Sequence, residues 1–170
     1  MSYVYMPPTQ KITIVESGVF KDSSFSFVSY PYKYSPSTTT RRKAPTIQRV
    51  GDYLKAYGNG YNYEGSVWSS KTVDLTNISS VMFRYRGSGY PAFGVVEGSP
   101  KDNFNTPDRH LVMSGLAGNN FKDIHEGIFP TSKLSGNYSL VMFNITNNYQ
   151  GGIVDIILLS EEFSKNYLNS

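Results

Sequence analysis

The chain offers few residues that could make or break bonds. It contains no cysteine, so thiolate nucleophiles, thiolate metal sites and disulfides are excluded. Its two histidines, His110 and His125, fall in separate segments, and no G-x-S-x-G, H-E-x-x-H or P-loop phrase occurs. The thirteen carboxylates are scattered along the chain, with Glu64 and Glu97 nearest to aromatic turns and Asp102 and Asp108 sharing one loop. That loop has oxygen donors that calcium accepts, yet its spacing departs from an EF-hand and the closing glutamate is missing. No catalytic residue, metal site or cofactor is assigned.

The aromatic residues carry more signal. Fourteen Tyr and ten Phe make the chain 15% aromatic while only 17% is charged. Tyr30, Tyr32, Tyr34, Tyr61, Tyr63, Trp68 and Tyr90 lie in or beside turns rich in Gly, Pro and Asn. A tyrosine in a turn has less core to join than one in a strand. Its flat apolar face suits the C–H face of a pyranose, and neighbouring polar groups can bond the hydroxyls. The candidate carbohydrate-binding residues are therefore Tyr61, Tyr63 and Glu64 in the turn 58–65, and Tyr90 in the turn 87–91. The competing role for such tyrosines is to close the ends of a sandwich or to line a subunit interface. Trp68, at the edge of a strand, is assigned to core packing.

Strands must position these turns. In Val81–Arg86 the residues Val81, Phe83 and Tyr85 alternate with Met82, Arg84 and Arg86, the pattern of a half-buried strand. Before it, Thr72–Asn77 forms a polar corner, because Asp, Thr and Asn side chains bond nearby backbone groups. The stretch 67–86 thus reads as strand, corner, strand, crossing from one sheet to another. Further strands are expected at 11–15, 24–28, 46–50, 53–57, 92–97 and 110–113. The segment 30–36 mixes prolines with aromatics and is expected to pair poorly, and 121–129 fits one helical turn or a short strand. Strands at 137–146 and 152–160 are expected to form a hairpin through 147–151, the second being central and covered on both faces. The predicted fold is all-β, an antiparallel two-sheet β-sandwich of jelly-roll type with about eleven strands and at most a short C-terminal helix over 161–168. Residues 1–10 read as an extended arm, since Pro7 and Pro8 block regular pairing, and 11–170 as a single domain.

The net charge of +3 is mild, and Arg41, Arg42 and Lys43 sit together in a Ser/Thr/Pro-rich loop, so no nucleic-acid face is expected. The first ten residues lack the basic and apolar regions of a secretory signal, and no apolar run reaches the length of a membrane helix.

The phrase Lys71–Phe83 resembles a recurring phrase in β-sandwich modules of tail and baseplate proteins of phages that infect Gram-positive bacteria. Matching phrases follow at Phe93–Val96, Gly136–Asn144 and Ile153–Leu159, in the same order and spacing over residues 11–160. The resemblance implies a virion surface protein without enzymatic activity, in the tail, in the baseplate or decorating the capsid. It would be made in the host cytoplasm, joined to other virion proteins or sister subunits through the arm as a homo-oligomer, and bound to host surface glycans. The alternatives are a carbohydrate-binding module of a bacterial enzyme and a structural capsid or tail protein with no ligand.

Overall fold

The alternation over 81–86 becomes a strand with one face in the core. Val81, Phe83 and Tyr85 are at most 4% exposed, while Met82, Arg84 and Arg86 are half-buried on the other face. The computed structural model describes residues 9–31, 44–58, 65–98, 109–113 and 121–161. In chain order its strands are β1 (Thr9–Glu16), β2 (Val19–Phe20), β3 (Phe27–Pro31), β4 (Thr46–Val50), β5 (Tyr53–Tyr57), β6 (Gly65–Ser69) and β7 (Val73–Asp74). There follow β8 (Ser80–Ser88), β9 (Ala92–Glu97), β10 (Arg109–Met113), β11 (His125–Pro130), β12 (Asn137–Ile145) and β13 (Gln150–Glu161).

The described residues form an all-β structure of two antiparallel sheets. The first has seven strands, in the order β11-β8-β13-β1-β2, with β4 paired to β5 and β5 to β13. The second has six, in the order β10-β9-β12-β6-β3, with β7 on β12. Between the sheets lies a core in which Phe83, Phe93, Leu140, Met142 and Ile156 are all wholly buried. Trp68, Val141 and Phe143 belong to a second apolar cluster. Trp68 fits there because its indole donates to the Ser66 hydroxyl at 2.7 Å and its ring meets Phe143 edge-on at 5.6 Å.

The corner after Trp68 is built as its residue types dictate. The Asp74 carboxylate accepts the Thr76 amide at 2.9 Å, the Thr76 hydroxyl accepts the Gly136 amide at 3.0 Å, and Asn77 takes a left-handed φ of 64°. Leu75 and Ile78 plug the core from this corner. Ser79 donates to the Leu159 carbonyl through both its amide and its hydroxyl, at 2.8 Å each. The chain thus leaves the second sheet at Asp74, the end of β7, and enters the first at Ser80, crossing between sheets as expected.

Several expectations need correction. The strand expected at 24–28 begins instead at Phe27 and runs through Tyr30 and Pro31, which pair with Ser66 and Gly65. Asp22 is the reason: its carboxylate caps the Ser24 amide and hydroxyl, which folds 22–25 into a turn. The segment 121–129 holds a turn over 121–124 and then β11, and two short strands, β2 and β7, were not foreseen. β12 and β13 are not a hairpin, because among the described residues β12 pairs only within the second sheet and β13 only within the first. The segment between them is an arch from sheet to sheet, tied by the Thr146 hydroxyl, which accepts the amides of Asn148 and Tyr149 at 3.1 and 2.9 Å. β13 is central, but only Gly151–Val154 are buried continuously. Beyond them Ile156 and Leu158 face the core while Ile157 and Leu159 are half-exposed. The strands with every described residue buried are Gly65–Ser69 and, up to Val96, Ala92–Glu97. β1 begins at Thr9, paired with Glu161, so Thr9 and Gln10 are strand and not arm. Glu161, the first residue of the helix expected over 161–168, is the last of β13, and residues 1–8, the basic cluster at 41–43 and the rest of that helix lie outside the described residues.

Candidate functional site

Both turns singled out in the sequence spring from the arch between β12 and β13. The Gly58 amide donates to the Thr146 carbonyl at 3.1 Å, and Gly65 pairs with Ile145. The stems of the turn 58–65 therefore stand at the foot of the arch. Tyr61, Tyr63 and Glu64 themselves lie outside the described residues. On the other side, Gly89 lies against the arch at Asn148 and Tyr149, with a φ of 73°. A Cβ on Gly89 would overlap the Tyr149 ring, so the absence of a side chain lets turn and arch touch. Tyr90 follows, 46% exposed, with its ring perpendicular to that of Tyr149 at 5.9 Å.

A second aromatic pair lies close by along β13. Gly152 is buried, and a Cβ there would come within 2.7 Å of the Tyr53 ring and 3.3 Å of the Phe121 ring. Both rings thus lie over bare backbone, and they stack on each other at 5.4 Å with 14° between their planes. Polar groups surround them. The Arg86 guanidinium is held by both Asp52 oxygens, at 3.2 and 3.1 Å, and donates to the carbonyls of Phe121 and Lys122 at 3.3 and 2.8 Å. It is also 5.9 Å from the Tyr53 ring centre. The Lys55 ammonium lies 4.8 Å from the centre of Phe121 and 5.0 Å from that of Tyr57. Tyr57 donates its hydroxyl proton to Gln48 at 3.3 Å.

Tyr53 and Phe121 were not singled out from the sequence. The available signal was Gly151-Gly152 at the head of an otherwise apolar strand, since a glycine inside a strand often marks close approach by another group. Here the two glycines serve opposite faces. Gly151 admits Met142, Phe93 and Ile145 from the core, while Gly152 admits Tyr53 and Phe121 from outside.

The remaining candidates are dispersed. His110 lies in β10 of the second sheet, whereas His125 lies in β11 of the first, stacked on Tyr85 at 5.9 Å. On the core side Tyr85 stacks on Phe93 at 4.6 Å, and burial pushes its phenol up from the usual tyrosine range. Glu97 ends β9 at the surface, and Asp102 and Asp108 lie outside the described residues. Among the described residues no three of His, Asp and Glu gather as metal ligands. What the arch end assembles is a set of rings with polar donors and acceptors beside them, an arrangement that can bind a flat, polyhydroxylated molecule.

No protein-family model and no curated protein sequence matches the chain. Solved structures do match it. A family 29 carbohydrate-binding module superposes with a TM-score of 0.59 at 11% identity, over 89% of each chain. A family 29 module mutant complexed with cellulohexaose gives 0.58 at 13% identity, over 89% of this chain and 91% of the other. A family 29 module from Piromyces equi gives 0.57 at 11%, over 89% and 91%. These matches establish the fold as a β-sandwich of the kind these modules have. They support the sandwich half of the resemblance noted in the sequence and not its phage half.

Proposed function

We propose that this chain is a non-catalytic carbohydrate-binding module, with a saccharide chain lying across the arch end of the sandwich. The observation that carries the reading is a pair of ring contacts, Tyr90 with Tyr149 at the arch and Tyr53 with Phe121 over Gly152 three residues further along the chain, on a fold shared with carbohydrate-binding modules. In this reading the rings stack on sugar faces, and Arg86, Asp52 and Lys55 meet the hydroxyls. The stems of the turn that carries the candidates Tyr61, Tyr63 and Glu64, Gly58 and Gly65, are rooted on the same arch, which supports keeping these three as candidates. Single sites of this kind bind weakly, and useful strength comes from several copies or from an attached partner.

The virion reading adds attachment through the arm expected over residues 1–10 and a host-cell glycan as ligand, and it rests on the phrases 93–96, 136–144 and 153–159 and above all on the phrase 71–83. The structure uses that phrase to build the corner, so the phrase speaks for the fold before it speaks for a location. Co-sedimentation of the protein with particles would favour the virion reading.

Isothermal titration with cellulohexaose, alongside a glycan array, tests the proposal. Binding to at least one saccharide is expected, with the Tyr90→Ala and Tyr149→Ala variants each weakened about tenfold, the scale of losing one aromatic contact. If no saccharide is retained by the unaltered chain, the reading is wrong.

A further inference from the structure

On the opposite face of β5 from Tyr53 and Lys55, a groove of about 460 Å³ opens between the first sheet and the loop before β3. Phe20, Phe25, Phe27, Ile47 and Leu54 line it, with Val19 at its mouth, 48% exposed. Phe20 stacks on Phe25 at 5.7 Å and leans on Phe27 at 4.9 Å.

Apolar walls of this kind would be expected to close on each other unless something holds them apart. Both walls are pinned by backbone. Gly18, at a φ of 74°, lies so close to Tyr53 that a Cβ would come within 2.8 Å of its backbone, and the Gly18 amide donates to the Val154 carbonyl at 2.9 Å. On the other wall the Asp22 turn holds Phe25, whose amide donates to the Asp22 carbonyl at 3.0 Å. Ser26 and Ser70 exchange two hydrogen bonds, at 2.9 and 2.7 Å, and fix the end of that loop.

One charge faces this groove. Arg49 stands opposite Leu54 in the β4–β5 pair, on the same side of the sheet, and lines the groove with it. Its guanidinium donates to the Ser17 carbonyl at 3.3 Å, and no carboxylate pairs with it among the described residues. A second cation stands at the rim, where Lys71 lies 5.9 Å from the Phe25 ring centre and donates to the Ser24 hydroxyl at 2.7 Å. A charged residue on an edge strand also discourages strand addition. That role does not call for a preformed apolar groove in front of it.

We propose that the groove binds a small amphipathic anion, an aliphatic or aromatic carboxylate. Its apolar body lies against Phe20, Phe25 and Phe27, and its carboxylate meets Arg49. The inference is independent of the saccharide reading, since it uses the other face of β5. Titration of the whole chain with octanoate and with 1-octanol, followed at the backbone amides of Val19, Phe20 and Ile47 by NMR, tests it. Both ligands should shift those amides, with octanoate bound about tenfold more tightly at low salt because it alone gains a charge-assisted contact. Arg49→Gln should erase that difference while leaving octanol binding intact, and Val19→Asp at the mouth should weaken both. The proposal is overturned if neither ligand shifts these amides at millimolar concentration, if the two bind equally, or if Arg49→Gln keeps the preference for octanoate.

Discussion

Gly89 and Gly152 each make room for tyrosine rings, but a methyl group added at each would meet different resistance. At Gly89 the backbone has a left-handed φ of 73°, and the obstacles include the Asn148 carbonyl as well as the Tyr149 ring. Gly89→Ala is expected to cost about 1–3 kcal/mol, because strain and overlap act together. At Gly152 no left-handed φ is involved, and the obstacles are the two side-chain rings alone. Gly152→Ala should therefore lose less than about 1.5 kcal/mol, the rings turning aside, and yet break the Tyr53–Phe121 stack. A urea midpoint near that of the unaltered chain, with saccharide binding reduced, is the expected pair of results. Unchanged binding would remove Tyr53 and Phe121 from the site.

At the scale of elements, the corner 72–79 holds the two sheets in register, and its polar bonds should show in stability. The Thr131 side chain is wholly buried and donates to the Ile78 carbonyl at 2.7 Å. Thr131→Val keeps the shape and strands that carbonyl, so a loss of about 1–2 kcal/mol is expected from the denaturation midpoint. Acid should act on the same corner. The Asp74 carboxyl is held below its usual range, first by the Thr76 amide and then by the Thr76 hydroxyl. Asp22 is held low by the Ser24 hydroxyl and then the Ser24 amide. A carboxyl depressed in the folded state lends stability above its unfolded value and loses it as pH falls through the folded one. The window thus lies below about pH 4. Asp74→Asn should narrow the gap between urea midpoints measured at pH 6 and pH 3.

Legibility followed how local each cause was. Val81, Phe83 and Tyr85 declare a buried face by alternation alone, and Asp74, Thr76 and Asn77 declare the corner because their bonds reach only a few residues. The arch at 146–149 was misread as a hairpin because Asn147-Asn148 suits either connection. The choice depends on which sheet β13 joins, and its partners lie far along the chain. Phe121 escaped notice for the same reason, since its meaning comes from Gly152 and Tyr53. The part of the proposed site that the sequence did suggest, Tyr90, sits in a turn whose glycine could be read directly.

At the scale of the whole molecule, β13 is the hub of the first sheet. It pairs with β8 along one side, and along the other with β5 at Gly151–Ile153 and with β1 at Ile156–Glu161. The joint between those two neighbours is marked by bulges at 153–155 in β13 and 13–15 in β1. Without β13, among the described residues β1 would keep only the two-residue β2 as its pairing partner, and β8 only β11. This arrangement has a consequence for synthesis. A ribosome makes β1 long before β13, so β1 waits without its main partner until β13 emerges. Chains stalled at residue 149 should remain open to protease along 9–16, and protection of β1 should arrive only once residue 161 has cleared the exit tunnel. With pairings this distant in the chain, refolding in solution should take milliseconds to seconds, the range of non-local β-sheet folds.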